Sequence, residues 1–459
     1  MPQVAQDAKT KSILDTSCCF IFIMHALNKM SLNLMKMPLQ SLQSAGLQAW
    51  VHGHLTCLAY NKLHRFSFNT RLRRNYFTSI KRNKRQADHA VDFRSDTVTK
   101  PMPEMRQAMF EAEVGDDVMS EDPTINKLQE RVATMFGKEA ALLVPSGTMA
   151  NLISVMSHCQ GRAEEVILGD ESHIILYEQG SLATIGGVHT RTVKNLADGS
   201  LDLREVEAKI RKQDDHFPTT RVICIENTHN NKGGKVVPLS FMKEVRELAD
   251  KHGVQIHLDG ARVMNAVCAL QVDPEELGQY CHSISMCFSK GLAAPVGSVV
   301  IGSHDFIYRA RRIRKGLGGG MRQAGVLAAC ALVALDKSVP RLQEDHDNAK
   351  QLAQGLKDMG SSIFTADPVA TDSNMVWIRV KEELNLMAVV KSLMKLYANE
   401  SDVIGSKVHI KIFPVGPSVM RAVTHYHITS ADISRALQKF KFVSDMIESG
   451  KIDLDSLKM

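Results

Sequence analysis

CHSISMCFSKGLAAPVGS, residues 281–298, sets an apolar run against a single lysine. SISMCF (283–288) is apolar or small at every position, the texture of a strand buried on both faces. Lys290 follows at once, and the chain then turns through glycine, alanine and proline. An ammonium there is partly desolvated, which costs free energy unless the protein uses it. The quoted stretch offers no acidic residue as a partner.

Working outward, the same texture recurs in AALLV (140–144), EEVIL (164–168), RVICIE (221–226), VQIHLD (254–259) and SVVIG (298–302). Between these runs lie helical patterns such as SFMKEVRELADKHG, with Gly253 at a C-cap position. Continuous apolar strands separated by helices predict an α/β fold with a mostly parallel sheet covered on both faces. Ligands in such folds bind beyond the carboxyl ends of the strands. Near residue 335 the texture changes. SNMVWIRV, VHIKIFPVGPSVMRAVTHYHIT and a last helix N-capped by Ser430 predict a smaller α+β domain over 336–459, after a large domain over 91–335.

Residues 1–90 stand apart. The net charge of +6 conceals 13 Lys/Arg against 3 Asp/Glu in this segment, with no acidic residue between Asp15 and Asp88. That bias resembles a mitochondrial transit peptide, with cytoplasmic residence as the alternative. Two other readings stay open: a basic arm for nucleic acid, although no RNA module follows, and a secretory segment built on CCFIFIM, although Asp7 and Asp15 precede it. No run approaches the roughly 18–20 apolar residues of a membrane-spanning helix. The expectation is a small-molecule enzyme with neither nucleic acid nor membrane as partner. Nine cysteines form no CxxC pair, and most of those after residue 90 lie in apolar runs, as small core residues do.

Three strand ends carry chemistry. After AALLV, Ser146, Gly147 and Thr148 form a strand-to-helix turn whose amides suit a phosphate group. After VQIHL, Asp259 is a buried acid that needs a positive partner; Arg262 nearby offers a local ion pair. After SISMCF, Lys290 can form a Schiff base with a carbonyl. Phosphate cup, buried acid and lysine, in that order, fit pyridoxal 5′-phosphate, with the acid on the ring nitrogen and the lysine on the aldehyde.

Longer motifs carry a family resemblance. VDFRSDTVTKP (91–101), EDPTINKLQ (121–129), PSGTMANL (145–152), ENTHN (226–230), HLDGARVMNAV (257–267), FSKGLAAPVGS (288–298), GGGMRQAG (318–325) and RLQEDHDNA (341–349) together resemble the L-type threonine aldolases. The similarity runs from about Val91 to the C-terminus. It implies the pyridoxal-phosphate-dependent fold type I, and cleavage of L-threonine or L-allo-threonine to glycine and acetaldehyde. By motif, it implies Lys290 on the cofactor aldehyde, Asp259 on the pyridine nitrogen, Gly147 and Thr148 on the phosphate, and His173 stacked on the ring. Ser95, Arg262 and Arg421 match groups that hold the substrate carboxylate, and His229 matches a second active-site histidine. Arg322 is implied to reach a phosphate across a subunit boundary, which requires a homodimer or homotetramer with its active site at the interface. HNNKGGKVVP, after His229, departs from the family pattern.

Read without the family, Arg421 is a strand-edge charge, and YRARRIRKG (308–316) is a solvated helix face. His173 and His229 are both candidate bases for the β-hydroxyl, because histidine titrates near neutrality. Rival readings are an aminotransferase or β-eliminating lyase of the same fold, and a cofactor-free scaffold.

Overall fold

A strand that is apolar at every position is satisfied only when both its faces are covered, and that requirement sets the layering. The computed structural model describes residues 89–454 and 457. The expectations placed on residues 1–88, targeting included, lie outside the described residues. The described chain opens with β1 (His89–Asp92). β2 (Ala140–Val144), β3 (Glu164–Gly169), β4 (His189–Val193), β5 (Thr219–Glu226), β6 (Gln255–Gly260), β7 (Ser283–Cys287) and β8 (Ser298–Gly302) follow. These last seven form one sheet in the order β2-β8-β7-β6-β5-β3-β4. Strands β3 to β7 pair in parallel with one another, and only β8 runs antiparallel, against β2 and β7. Every residue of β7 and β8 is buried. β4, reading HTRTV, has no apolar run and escapes the sequence pattern. As an edge strand paired with β3, it needs little cover.

Helices follow the strands as expected. Those that matter here are α1 (Gly147–His158), α2 (His173–Tyr177), α3 (Leu239–His252), α4 (Leu342–Asp358) and α5 (Ser430–Glu448). α3 closes on Gly253 at φ 66°, a left-handed cap that glycine adopts without a Cβ penalty. α5 is capped by Thr429, not Ser430. The Thr429 hydroxyl accepts from the Asp432 amide, and the Asp432 carboxylate accepts from the Thr429 amide, a reciprocal capping box one residue earlier than expected.

Past Ala334–Ser338, where the chain makes a π turn, a second sheet takes shape. β9 (Phe364–Ala366), β10 (Met375–Val380), β11 (Val408–Lys411), β12 (Phe413–Pro414) and β13 (Val419–Val423) follow. Four of them form an antiparallel sheet, β12-β13-β10-β9, against which α4 packs. β11 instead pairs in parallel with β1. The first described strand therefore joins the chain's C-terminal part, and Val423 N–H donates to Phe93 O to extend that contact. The residues that follow, Arg94 to Asp96, are thereby held between the two sheets.

The basic run at 308–316 is only partly a solvated face. Arg314 is 2% exposed; its guanidinium donates to Asp117 Oδ2 at 2.5 Å and to Leu143 O at 2.6 Å. Helical periodicity turns one arginine of that run inward, onto an acid almost two hundred positions away. Cys159, Cys224, Cys281, Cys287 and Cys330 are free and buried, and Cys268 is partly so. Among the described residues, no helix is long and apolar enough to cross a membrane.

Candidate active site

Two residues, Pro145 and Ser146, separate the end of β2 from the start of α1. Ser146 is extended and its Oγ accepts from the Met149 amide at 3.2 Å. The other first-turn amides have no acceptor within their own helix, so Gly147 and Thr148 present N–H groups at an accessible terminus. Gly147 must lack a side chain: an added Cβ would stand 2.7 Å from Cys287 Sγ, at the end of β7. The helix terminus is thus seated against the strand that leads to Lys290.

Asp259 ends the apolar part of β6 and is 2% exposed. Its Oδ2 accepts from Asn151 Nδ2 at 3.0 Å and its Oδ1 from the Ala261 amide at 3.2 Å. The local pair with Arg262 does not form. Arg262 turns to Asp96 instead, with Nε–Oδ2 at 2.7 Å and Nη2–Oδ1 at 2.6 Å. Three residues along from Asp259, the Arg262 side chain has left the rim of β6, where Asp96 on the Phe93–Asp96 crossing can meet it in a fork-to-fork pair. Burial pushes the Asp96 carboxyl up, but the charge and hydrogen bonds of Arg262, aided by Lys290 and His425, outweigh it and hold the group well below the usual carboxylate range.

Lys290 is half-buried in the β7–β8 connection. Its carbonyl accepts from Thr99 Oγ1 at 3.1 Å and from the Ala293 amide at 2.9 Å, which fixes the backbone. Its Nζ has no hydrogen bond or ion pair among the described residues. Ser95 caps the short turn Asp96–Val98, its Oγ accepting from the Thr97 amide at 3.2 Å. Arg421 lies on β13, between β12 and β10 and not at a sheet edge. Its Nη1 donates to Asn230 Oδ1 at 2.8 Å and its Nη2 to Arg94 O at 3.3 Å. Ser95, Asp96, Arg262, Lys290 and Arg421 are therefore linked by neighbouring contacts on the rim between the two sheets.

His173 opens α2. Its amide donates to Glu226 Oε2 at 2.7 Å and its Nδ1 lies 2.8 Å from Glu178 Oε1. Asn151 Nδ2 reaches the same Glu178 oxygen at 2.9 Å, so one amide ties His173's partner to Asp259. Burial raises the Glu178 pKa against the hydrogen bond from His173, and the charge of Asp259 raises it further. His229 is 0% exposed, and neither ring nitrogen has a partner among the described residues. The divergent loop after it closes on itself: His229 N–H donates to Lys235 O at 2.9 Å and Gly234 N–H to His229 O at 3.0 Å. Gly233 and Gly234 make that return at φ 75° and 74°. Arg322 is not drawn into this cluster. Its guanidinium pairs with Asp116 at 2.6 Å and is half exposed.

Asp96, Asn151, Glu178, Glu226 and Asn230 were not singled out in sequence, although each lies inside a quoted motif or beside a named histidine. The one available signal was an amide side chain, Asn151, in the largely apolar GTMANLISVM. A cavity of about 780 Å³ lies at the opposite, amino-terminal end of the strands, lined by Lys138, His158, Arg221, Arg246 and His282 among others. Its Arg221 already pairs with Glu164 and its Arg246 with Asp250.

The family model described as Beta-eliminating lyase matches residues 92–381. Low-specificity L-threonine aldolase 1 of Arabidopsis thaliana is 48% identical over 354 residues, which cover 77% of this chain and 96% of that protein. A putative L-allo-threonine aldolase from Listeria monocytogenes superposes with a TM-score of 0.64 at 18% identity, covering 80% of this chain and 99% of that one. SPT, solved with a pyridoxal-phosphate (PLP) internal aldimine, gives 0.59 at 18% identity over 79% and 88% of the two chains. The fold is the PLP-dependent fold type I. Sheet order, strand-end residues and these similarities converge: the chain belongs to the beta-eliminating lyase family, alongside the low-specificity L-threonine aldolases.

Proposed function

We propose that this protein cleaves L-threonine and L-allo-threonine to glycine and acetaldehyde with pyridoxal 5′-phosphate as cofactor. One observation carries the reading: Asp259 is a buried carboxylate that no cation pairs with among the described residues. A charge so placed calls for a positive partner, and a protonated pyridine nitrogen is one. The rest of the rim fits as well. The open amides of Gly147 and Thr148 suit the phosphate, and Lys290 Nζ has no hydrogen bond or ion pair among the described residues. When bound, the cofactor supplies a carbonyl for amines and a ring that accepts the electron pair of a breaking Cα–Cβ bond.

The chain's own groups do the remainder. Arg421 and Ser95, with the Nη1 edge of Arg262, hold the substrate carboxylate, since a guanidinium presents paired donors. That grip would hold the Cα–Cβ bond where the bound cofactor can accept its electron pair. Glu178 accepts from His173 Nδ1, which leaves Nε2 of that imidazole as the acceptor. His173 Nε2 then takes the β-hydroxyl proton as the bond breaks and acetaldehyde leaves, and a proton returns to Cα to give glycine. Full burial of His229 favours His173 for this step.

The half-exposed guanidinium of Arg322 supports a homodimer or homotetramer in which it approaches a neighbouring site; light scattering on the purified protein tests this. The basic, acid-free N-terminal segment supports mitochondrial import, tested by uptake into isolated mitochondria. The central test is direct. Purified protein should take up the cofactor and release acetaldehyde from both threonine diastereomers. Borohydride trapping should mark Lys290, and Lys290→Ala should do neither. Pyruvate or oxobutyrate with ammonia, in place of acetaldehyde, would assign a β-eliminating lyase instead.

A further inference from the structure

Beneath Asp259 the core is polar where packing alone calls for an apolar one. His257 and Asp259 share one face of β6, Ser283 and Ser285 one face of β7, and the ladder sets His257 beside Ser283 and Asp259 beside Ser285. α1 lies over this face and contributes Asn151 and His158. Asn151, His257, Asp259, Ser283 and Ser285 are all buried.

The hydrogen bonds among them have a direction that the chemistry fixes. Asn151 Nδ2 donates to two carboxylates, Asp259 Oδ2 at 3.0 Å and Glu178 Oε1 at 2.9 Å. Asn151 Oδ1 therefore faces the other way, 2.9 Å from Ser285 Oγ and 3.2 Å from His257 Nε2. An amide oxygen only accepts, so His257 carries its proton on Nε2. Burial, only partly opposed by the charge of Asp259, lowers the His257 pKa to about 4, so the ring is neutral. Its Nδ1 is then an acceptor, filled by Ser283 Oγ at 2.9 Å. Ser283 in turn accepts from His158 Nε2 at 2.7 Å. Along this line each hydrogen points toward Asp259, the arrangement in which successive bonds polarise one another. His158 stacks on Phe306 at 4.7 Å and lines the cavity at the far end of the strands, so the line crosses the whole sheet.

Stability does not ask for such a line. Apolar side chains of like volume at these positions would bury as well and need no partners. We propose that His257 is a positioning residue for the cofactor. Through Asn151 it holds the Asp259 carboxylate in the orientation that the pyridine nitrogen requires, with Ser283 and His158 fixing the tautomer that makes His257 a donor. This rests on the assignment of Asp259 to that nitrogen.

The test uses the full chain, stripped of cofactor and then titrated with pyridoxal 5′-phosphate. Protein fluorescence and the absorption maximum of the bound cofactor are followed, and kcat and KM for L-threonine are measured in parallel. His257→Leu should raise the cofactor dissociation constant about tenfold, the scale of one hydrogen bond lost next to a charge. It should also move the absorption maximum and lower kcat while KM stays within about twofold. His257→Gln, whose amide nitrogen can stand where Nε2 does, should recover most of each effect. Ser283→Ala, one link further out, should shift the same readouts in the same direction by about two- to threefold. An unaltered dissociation constant and spectrum in His257→Leu would overturn the inference, as would equal losses in the Leu and Gln variants. If His257→Leu fails to fold, Ser283→Ala decides: no spectral change there overturns it equally. Wild-type protein that takes up no cofactor would overturn the proposed function as well, whereas normal uptake with indifferent variants sinks this inference alone.

Discussion

Two ion pairs of matched length test what burial does to a charge. Arg262 meets Asp96 at 2.6 Å, with side-chain exposures of 7% and 0%; Arg322 meets Asp116 at the same 2.6 Å, with exposures of 52% and 18%. Asp96→Ala strands a guanidinium that has almost no access to water. Removing one partner of a buried pair costs about 3–5 kcal/mol, because the remaining charge stays desolvated. At about 2 °C per kcal/mol for a long chain, the unfolding midpoint should fall by about 6–10 °C. Asp116→Ala frees a guanidinium that water can reach at once and removes an exposed cap on the Val118 amide, so the midpoint should fall by only about 2 °C. Scanning calorimetry on both variants, without added cofactor, reads the contrast. Asp96→Asn adds a pH signature. The Asp96 pKa is depressed in the folded state, so its contribution is present above the unfolded value of about 3.9 and is lost as pH falls below it. The gap between wild type and Asp96→Asn should therefore narrow in that acidic range. Equal midpoint shifts for Asp96→Ala and Asp116→Ala would refute the reasoning, since geometry alone would then set the value of the pair.

Asp345 should behave in the opposite sense. Burial, only partly opposed by Arg341, pushes its pKa up to about 7, so stability is lost as pH rises from about 4 through 7. Asp345→Asn should accordingly match wild type near pH 4 and exceed it at pH 8, as thermal midpoints against pH will tell. Gly147→Ala sets a Cβ 2.7 Å from Cys287 Sγ and should weaken cofactor binding about tenfold, with recovery in the Gly147→Ala/Cys287→Ala double variant when dissociation constants are compared. In the C-terminal part, Lys439 and Glu400 pair at 2.7 Å with no exposure on either side. Lys439→Met should cost about 3–5 kcal/mol in denaturant titration, and Lys439→Met/Glu400→Leu should regain most of it.

The strands of the central sheet were legible because burial on both faces leaves an unbroken apolar run. The runs at 140–144 and 298–302 match β2 and β8 residue for residue. The helix cap at Gly253 was legible for the same local reason, a backbone conformation that glycine adopts cheaply. Asp259, Lys290 and the Gly147 turn could be named because each directly follows such a run, where an α/β sheet keeps its ligands. β4 was missed since an edge strand carries a weak pattern, and Thr429 was passed over because two adjacent hydroxyl residues compete for one cap.

Partnership was decided by the tertiary structure. Local spacing pointed Asp259 to Arg262, but the fold carries Asp96 in from 166 residues away to take that arginine. It does so because β1 pairs with β11, a match between the first described strand and a short strand of the C-terminal part. Arg314 was drawn from a basic run into the core by Asp117, and Asn151 became the link between Glu178 and Asp259 only once α1 lay across β6 and β7. The pattern of a sequence records which face of an element leaves water, because burial acts on each residue locally. Which charge meets which depends on distances in space, and those exist only after the chain has folded.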